Sequence, residues 1–421
     1  MLFLSRIDIS GLRKKLASGL LLGLIFISPF LNWNSTSSWV NTQISLFQVL
    51  FVLLLLPEVK REVLLMSKES TAFRVVLIFA ITNLAALAWL DSEVLQGSRF
   101  WIYLIQMFFF AAVVAWFSDN AYSKLKWMLV LKLAAAVVLC SLFLVLLFQG
   151  DEVVKWSDIQ FLVFRNIRHF NYDLAVAFFF AGTLCALCSQ FPAKDLGFLV
   201  LFVLLGFVSF FTEGRGQILS VFCFLALLVM LVRKAEYKTV YMVLAGLLLG
   251  FSIMAVLYPE AAAGLFRRSA DEGADRISSG RLTMWSRSLD YWWAGGDNIK
   301  QIIIGLGPDG FVRSRLYHGA VQPHNSIVQA LMEFGILGVG LLLYLVWNLL
   351  RLTWRAAYVL RAEKSEVVWL SCALLSLFFY SLFDGILYHG HALLICVLLG
   401  AYLYAAAVGN SAEKPLKIER Q

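Results

Sequence analysis

The stretch GFLVLFVLLGFVSFFTEGRGQILSVFCFLALLVMLVRK, residues 197–234, decides the fold. Two long apolar runs flank a short polar break, TEGRG, and a basic pair closes the second run. A bilayer core takes about 20 mostly apolar residues per helix, so the pattern reads as two spans joined by a tight hairpin. The rest of the chain repeats it. Over 421 residues, 61% are hydrophobic and 15% charged, with a mean hydropathy of +0.79, far from the composition of a soluble domain. Twelve candidate spans are centred near residues 26, 50, 81, 109, 138, 180, 204, 225, 249, 338, 375 and 399; the second, seventh and twelfth are short. The expected fold is an all-α polytopic membrane protein.

The first apolar run follows MLFLSRIDISGLRKK and leads into Pro29, Asn32 and Asn34 with no small-residue cleavage pattern. It reads as a retained first helix rather than a signal peptide. The six cysteines, at 140, 185, 188, 223, 372 and 396, all lie within apolar runs. They read as small packing residues and say nothing of redox compartment. The C-x-x-C of Cys185 and Cys188 is mid-span and lacks a surrounding βαβ pattern.

Orientation follows from lysine and arginine in short loops. With the N-terminus inside, every inner segment is basic, and an even number of spans returns the tail to the cytoplasm. The chain then divides into residues 1–258 with spans one to nine, an outer loop domain at 259–323, and residues 324–421 with spans ten to twelve and a cytoplasmic tail. Nine Arg and twelve Lys fall inside, against eleven Arg and two Lys outside, with Lys132 at the edge of a span. Orientation needs either cation equally, whereas a planar bidentate donor for phosphate or carboxylate must be Arg. The bland alternative pairs the outer arginines with Asp271, Glu272, Asp275 and Asp309, or with lipid headgroups. No inner loop carries a Gly-rich phosphate loop, which disfavours a nucleotide-driven role.

Residues 259–323 form the only soluble segment large enough to build structure. Within it, LTMWSRSLDYWWAG repeats Leu282, Trp285, Leu289 and Trp292/Trp293 at helical spacing. This predicts an interfacial amphipathic helix with tryptophans at headgroup depth, bearing Arg281 and Arg287. The loop IGLGPDGF, residues 304–311, marks tight turns. It lacks the strand and helix that a dinucleotide fingerprint requires.

QPHNSIVQALMEFGILGVG, residues 322–340, then enters the tenth span. Asn325 and Ser326 are good helix caps, and Gln329 and Glu333 share one helical face. Gly335, Gly338 and Gly340 would let a neighbouring helix pack close. His324 falls just before the helix N-terminus; alone it reads as a cap or packing residue. Glu333, a carboxylate inside a span, is a functional candidate by default. Arg215 in TEGRG, Arg281 and His324 come from three segments on one side of the membrane. FRNIRHFNYD at 164–173 adds Arg165, Arg168, His169 and Asp173, and DGILYHGH at 384–391 adds Asp384, His389 and His391. No metal-binding histidine spacing occurs, so no metal is expected.

In order, T-E-G-R-G, S-G-R-L-x-x-W, G-L-G-x-x-x-F and H-N-S-x-x-Q-x-x-x-E-x-G-x-x-G over about residues 200–345 resemble the O-antigen ligase and polymerase superfamily. The resemblance implies about twelve transmembrane helices with one structured periplasmic loop, a GT-C-like glycosyltransferase architecture, and a bacterial inner-membrane location. The implied reaction is transfer of a glycan from an undecaprenyl-diphosphate carrier to an acceptor sugar on the periplasmic side. It needs no nucleotide sugar, no metal and no other cofactor. The implied essential residues are His324, Arg215 and Arg281, although Arg287 competes with Arg281 for its role.

Chemistry suits this set: guanidinium groups neutralise a leaving diphosphate, and imidazole is the usual base for a hydroxyl. His324, Arg215 and Arg281 are therefore the expected catalytic residues. Arg287, Arg165, Arg168, Gln329, Glu333 and Asn325 are expected to contact substrate. A ligase passes the glycan to anionic lipid A-core, which the arginine-rich outer face favours. A polymerase passes it to another lipid-linked repeat. A solute or lipid transporter would instead place charges near the midplane and show duplicated halves. Lipid-linked glycan, lipid A-core and membrane lipids are the expected partners; nucleic acid is not.

Overall fold

In the computed structural model, residues 8–32, 37–90, 98–149, 167–188, 194–267, 280–294, 299–316, 322–358 and 365–408 are described. Among them every regular element is helical. In chain order they are α1 (Ile9–Ile27), α2 (Ser37–Leu54), α3 (Leu56–Glu69), α4 (Thr71–Leu90), α5 (Ser98–Phe117), α6 (Ala121–Gln149), α7 (Ile167–Leu187) and α8 (Lys194–Phe211). There follow α9 (Arg215–Leu231), α10 (Tyr237–Leu257), α11 (Pro259–Arg267), α12 (Arg281–Ala294), α13 (Ile299–Ile304), α14 (Gly310–Arg313), α15 (Ser326–Tyr358), α16 (Ser365–Ser381) and α17 (Gly390–Val408).

All twelve expected span centres fall inside helices. Among the described residues, six of those helices are long and apolar enough to cross a membrane by length and composition; the other six are shorter apolar helices. The chain is thus a multi-pass, all-helical membrane protein. One element was not anticipated. α3, LPEVKREVLLMSKE, lies between two apolar runs and turns Val59 and Met66 inward while Lys60 and Arg61 stay exposed. Its Glu58 carboxylate accepts from Arg13 Nη2 at 2.7 Å, tying it to the basic start of α1. A segment read from charge alone as an inner loop is therefore an amphipathic helix.

The most enclosed helix is α7, buried without interruption from Phe170 to Thr183. It packs against α6, α8, α9 and α16, and α16 in turn contacts α9, α15 and α17. α8 and α10 pack the most closely of all, because Gly206, Gly246 and Gly250 stand where a Cβ would run into the facing backbone or Phe202; without a hydrophobic force between helices in lipid, such close van der Waals approach drives association.

The glycines of α15 divide differently from the expectation. Gly335, at φ 61° and ψ −157°, breaks the helix, and a Cβ there would overlap the Ile303 carbonyl of α13. The break orphans the carbonyls of Met332 and Glu333. They accept from Leu306 N and Gly307 N at 2.8 Å each. The glycine-rich loop at 304–311 thus serves as the C-terminal cap of a nine-residue half-helix, using Gly305 and Gly307 at positive φ. Gly340, by contrast, meets nothing within 4 Å and mediates no close packing; the sequence pattern cannot tell a glycine that faces a neighbour from one that faces lipid.

The outer-loop helix forms where the spacing predicts, but its tryptophans split. Trp285 and Trp292 turn inward with Met284 against Phe311, Val328 and Met332, and Trp285 Nε1 donates to the Pro323 carbonyl at 2.8 Å. Leu282, Leu289 and Trp293 stay exposed and keep the interfacial reading. Only one of the three expected anchoring tryptophans faces outward, since the other two pack on the start of α15 and its neighbours.

Candidate active site

The N-termini of α5, α7, α9, α15 and α17 and the C-terminus of α16 gather on one side of the bundle. Each helix N-terminus carries a partial positive charge of about half a unit, and each of the first three has an arginine as its first or second residue: Arg99, Arg168 and Arg215. The field on this side therefore favours anions before any side chain is considered.

At the centre is Asp384, in the turn after α16. The turn forms because the helix ends at Ser381 and Phe383 N and Asp384 N both fold back on the Tyr380 carbonyl. Asp384 Oδ1 lies 3.0 Å from His324 Nδ1 and accepts from Gly385 N at 2.9 Å. Its Oδ2 faces Arg281 Nη2 at 3.7 Å, and Arg281 also donates through Nη1 to the Phe383 carbonyl. The second imidazole nitrogen, His324 Nε2, lies 3.4 Å from Arg168 Nη1. Burial alone would raise the Asp384 carboxyl, but the His324 hydrogen bond and the Arg281 and Arg168 charges hold it at about 2. It is a carboxylate, so the imidazole Nδ1 that faces it is the donor of that bond, and Nε2 is turned toward Arg168.

His324 adopts φ 53°, a left-handed conformation that costs a non-glycine residue about 1 kcal/mol or more. The surrounding hydrogen bonds hold it there. Asn325 caps α15: its Oδ1 accepts from Ile327 N and Val328 N at 2.9 and 3.0 Å, and its Nδ2 donates to the Leu382 carbonyl at 3.0 Å. The amide thus starts the His324 helix and also grips the Asp384 turn.

Arg215 stands apart. It opens α9 after a turn fixed by Thr212 Oγ1 donating to Asn171 Oδ1 at 2.7 Å and by Glu213 at φ 50°. Its neighbour Gly216 lies against the Tyr380 ring, one helical turn before Asp384. Arg215 Nη2 and Arg281 Nε are both buried and have no hydrogen-bond partner among the described residues. Arg287 is exposed, one and a half turns beyond Arg281 on α12. Arg165 lies outside the described residues.

Gln329 and Glu333 belong to a second cluster at the α15 break. Glu333 is buried and accepts from Tyr103 Oη at 3.2 Å and from Gln329 Nε2 at 3.3 Å. Nearby, Arg99 Nε pairs with Asp309 Oδ1 at 2.7 Å, and its guanidinium lies over the Tyr388 ring. For Arg99 the plain ion-pair use of outer arginines is the one found. A third group lies deeper: Lys132 pairs with Asp173, whose second oxygen is 3.9 Å from His391 Nε2. Among the described residues no group of three or more metal-ligating side chains is arranged to hold an ion.

Asp384 and Arg99 are the participants that sequence reasoning left out of its candidate set. Asp384 was visible as a D-G turn at a span end beside the histidines. Arg99 carried no signal beyond its place at the start of a span.

Residues 200–344 match a family model described as O-antigen ligase, and no curated protein sequence matches the chain. The matched stretch runs from α8 through the Gly335 break, and so holds Arg215, Arg281 and His324 but not Asp384 or Arg168. The match supports the O-antigen ligase and polymerase superfamily, which the motif order over the same residues resembles.

Proposed function

We propose that the chain is an O-antigen ligase, transferring a glycan from undecaprenyl diphosphate to a lipid A-core sugar at the periplasmic face of the bacterial inner membrane. The observation that carries the reading is the convergence of three segments on one imidazole: Asp384 on Nδ1, Arg168 beside Nε2, and Arg281 on the far oxygen of Asp384. His324 Nε2 takes the proton of the acceptor hydroxyl as its oxygen attacks the anomeric carbon. The bond from that carbon to the diphosphate oxygen breaks, with inversion, and the diphosphate leaves as an anion. Asp384 orients the imidazole and stabilises the imidazolium. The unpartnered guanidinium nitrogens of Arg215 and Arg281 are donors left for the diphosphate, in a setting where charge-assisted bonds are strong. Asn325 acts through the backbone of the His324 helix. Gln329 and Glu333 support the break rather than the reacting atoms.

The test is His324→Ala in membranes supplied with lipid-linked glycan and lipid A-core. Transfer should fall by about 10²–10⁴-fold; transfer at the wild-type rate would sink the assignment of the base. Lipopolysaccharide gels of a deletion strain separate the two superfamily activities. A missing ligase leaves no capped chains, whereas a missing polymerase leaves single repeats on the core.

A further inference from the structure

The His324 segment, the Asp384 turn and α7 meet a second time, one layer deeper. The His324 segment contributes Gln322, the Asp384 turn contributes His389, and α7 contributes His169, the neighbour of Arg168. Gln322 Nε2 and His389 Nε2 are 3.0 Å apart, and the His389 and His169 rings are 4.3 Å apart between centroids. Gln322 is buried, and its amide fills the space where Gly385 would carry a Cβ. His389 is held well below the ordinary imidazole value, first by burial and then by His169, His391 and Arg99. It is therefore neutral, and its Nε2 accepts from the Gln322 amide.

We infer that Gln322, His389 and His169 form a positioning layer that fixes the distance between Asp384 and Arg168 across the His324 ring. The argument is geometric. Asp384 and Arg168 sit on separate elements, and each touches one nitrogen of the same imidazole. The ring can serve as a base only while both elements keep their spacing. His389 packs at a tilt, 59° between ring planes, against His169 of α7 and is hydrogen-bonded to the segment that carries His324. The Gln322 carbonyl oxygen is buried and has no partner among the described residues, so its amide is poorly suited to plain stabilisation. Misplacement of a reacting group by about 1 Å can cost about 10²-fold, and the layer acts on that distance.

This inference rests on His324 being the base. The experiment uses purified full-length protein in nanodiscs with lipid-linked glycan and lipid A-core, and separates kcat from KM. Gln322→Met keeps the bulk against Gly385 and removes the hydrogen bond; it should lower kcat by tenfold or more, on the order allowed by misplacement, with KM for the lipid-linked glycan unchanged. His389→Leu should do the same, and His389→Gln, which can still accept from Gln322, should recover most of the loss. On a His324→Ala background, Gln322→Met should cost nothing further. A Gln322→Met protein with normal kcat, or one that lowers the residual His324→Ala rate by the same factor, overturns the positioning layer alone. A His324→Ala protein at the wild-type rate overturns the base and this layer together. Unaltered melting temperature for Gln322→Met excludes a folding defect as the cause of any loss.

Discussion

Asp384 accepts from an imidazole and a backbone amide and faces a guanidinium, so its charge is matched although its side chain is almost fully buried. Asp384→Asn keeps the shape and removes the charge that stabilises the imidazolium. It should lower turnover by about 10²–10⁴-fold while the protein still folds, as a transfer assay on purified protein would show. The sign of the pH effect follows from the depressed carboxyl, held at about 2. The stability it contributes is present above the ordinary aspartate value and is lost only as pH falls through the depressed one. The melting-temperature difference between wild type and Asp384→Asn should therefore persist from about pH 7 down to about pH 5. A difference that vanishes at the lower pH would mean that Asp384 is protonated there. His324 and Arg281 were legible in the sequence from their segments. Their partner was not, because a carboxylate 60 residues further on becomes a neighbour only when α15 and α16 pack.

The helices themselves were the most readable level, since apolar length leaves few choices in a bilayer. α15 shows where that reading stops. Its composition is that of one continuous span, yet Gly335 breaks it, and the break is held by a separate loop that caps the first half. Gly335→Ala should destabilise by about 1–3 kcal/mol from backbone strain alone, and by more once the Cβ meets Ile303. Gly340→Ala, in open space on a regular helix, should be neutral or stabilising by about 0.5–1 kcal/mol. Thermal unfolding of the two variants in detergent checks the contrast; equal losses would mean that both glycines pack as the sequence pattern suggests. α3 was hidden for the opposite reason: alternating charge made it look like loop, and only the Arg13–Glu58 pair and its two inward residues identify it as a helix.

Across the whole molecule, polar groups are not confined to one surface. Lys132 and Asp173 pair within the helix core, both almost wholly buried, and join α6 to α7 just inward of Arg168. Removing one partner of a buried pair costs about 3–5 kcal/mol. Lys132→Met should therefore lower the melting temperature sharply, and Lys132→Met with Asp173→Asn should recover much of it; no recovery would show that the pair matters for more than charge balance. The sequence placed Lys132 only at the edge of a span, because hydropathy reports how much charge a helix carries and not which helix faces it. The cap on the half-helix has a consequence at this scale too. Backbone bonds from Leu306 and Gly307 fasten the piece bearing His324 to the outer loop, while the remainder of its span continues separately beyond Gly335. Thickening or thinning the bilayer tilts a span, but here the lever arm is cut before it reaches the histidine. The His324 ring is thus coupled to the loop and to the turn after α16, rather than to the far half of its own span.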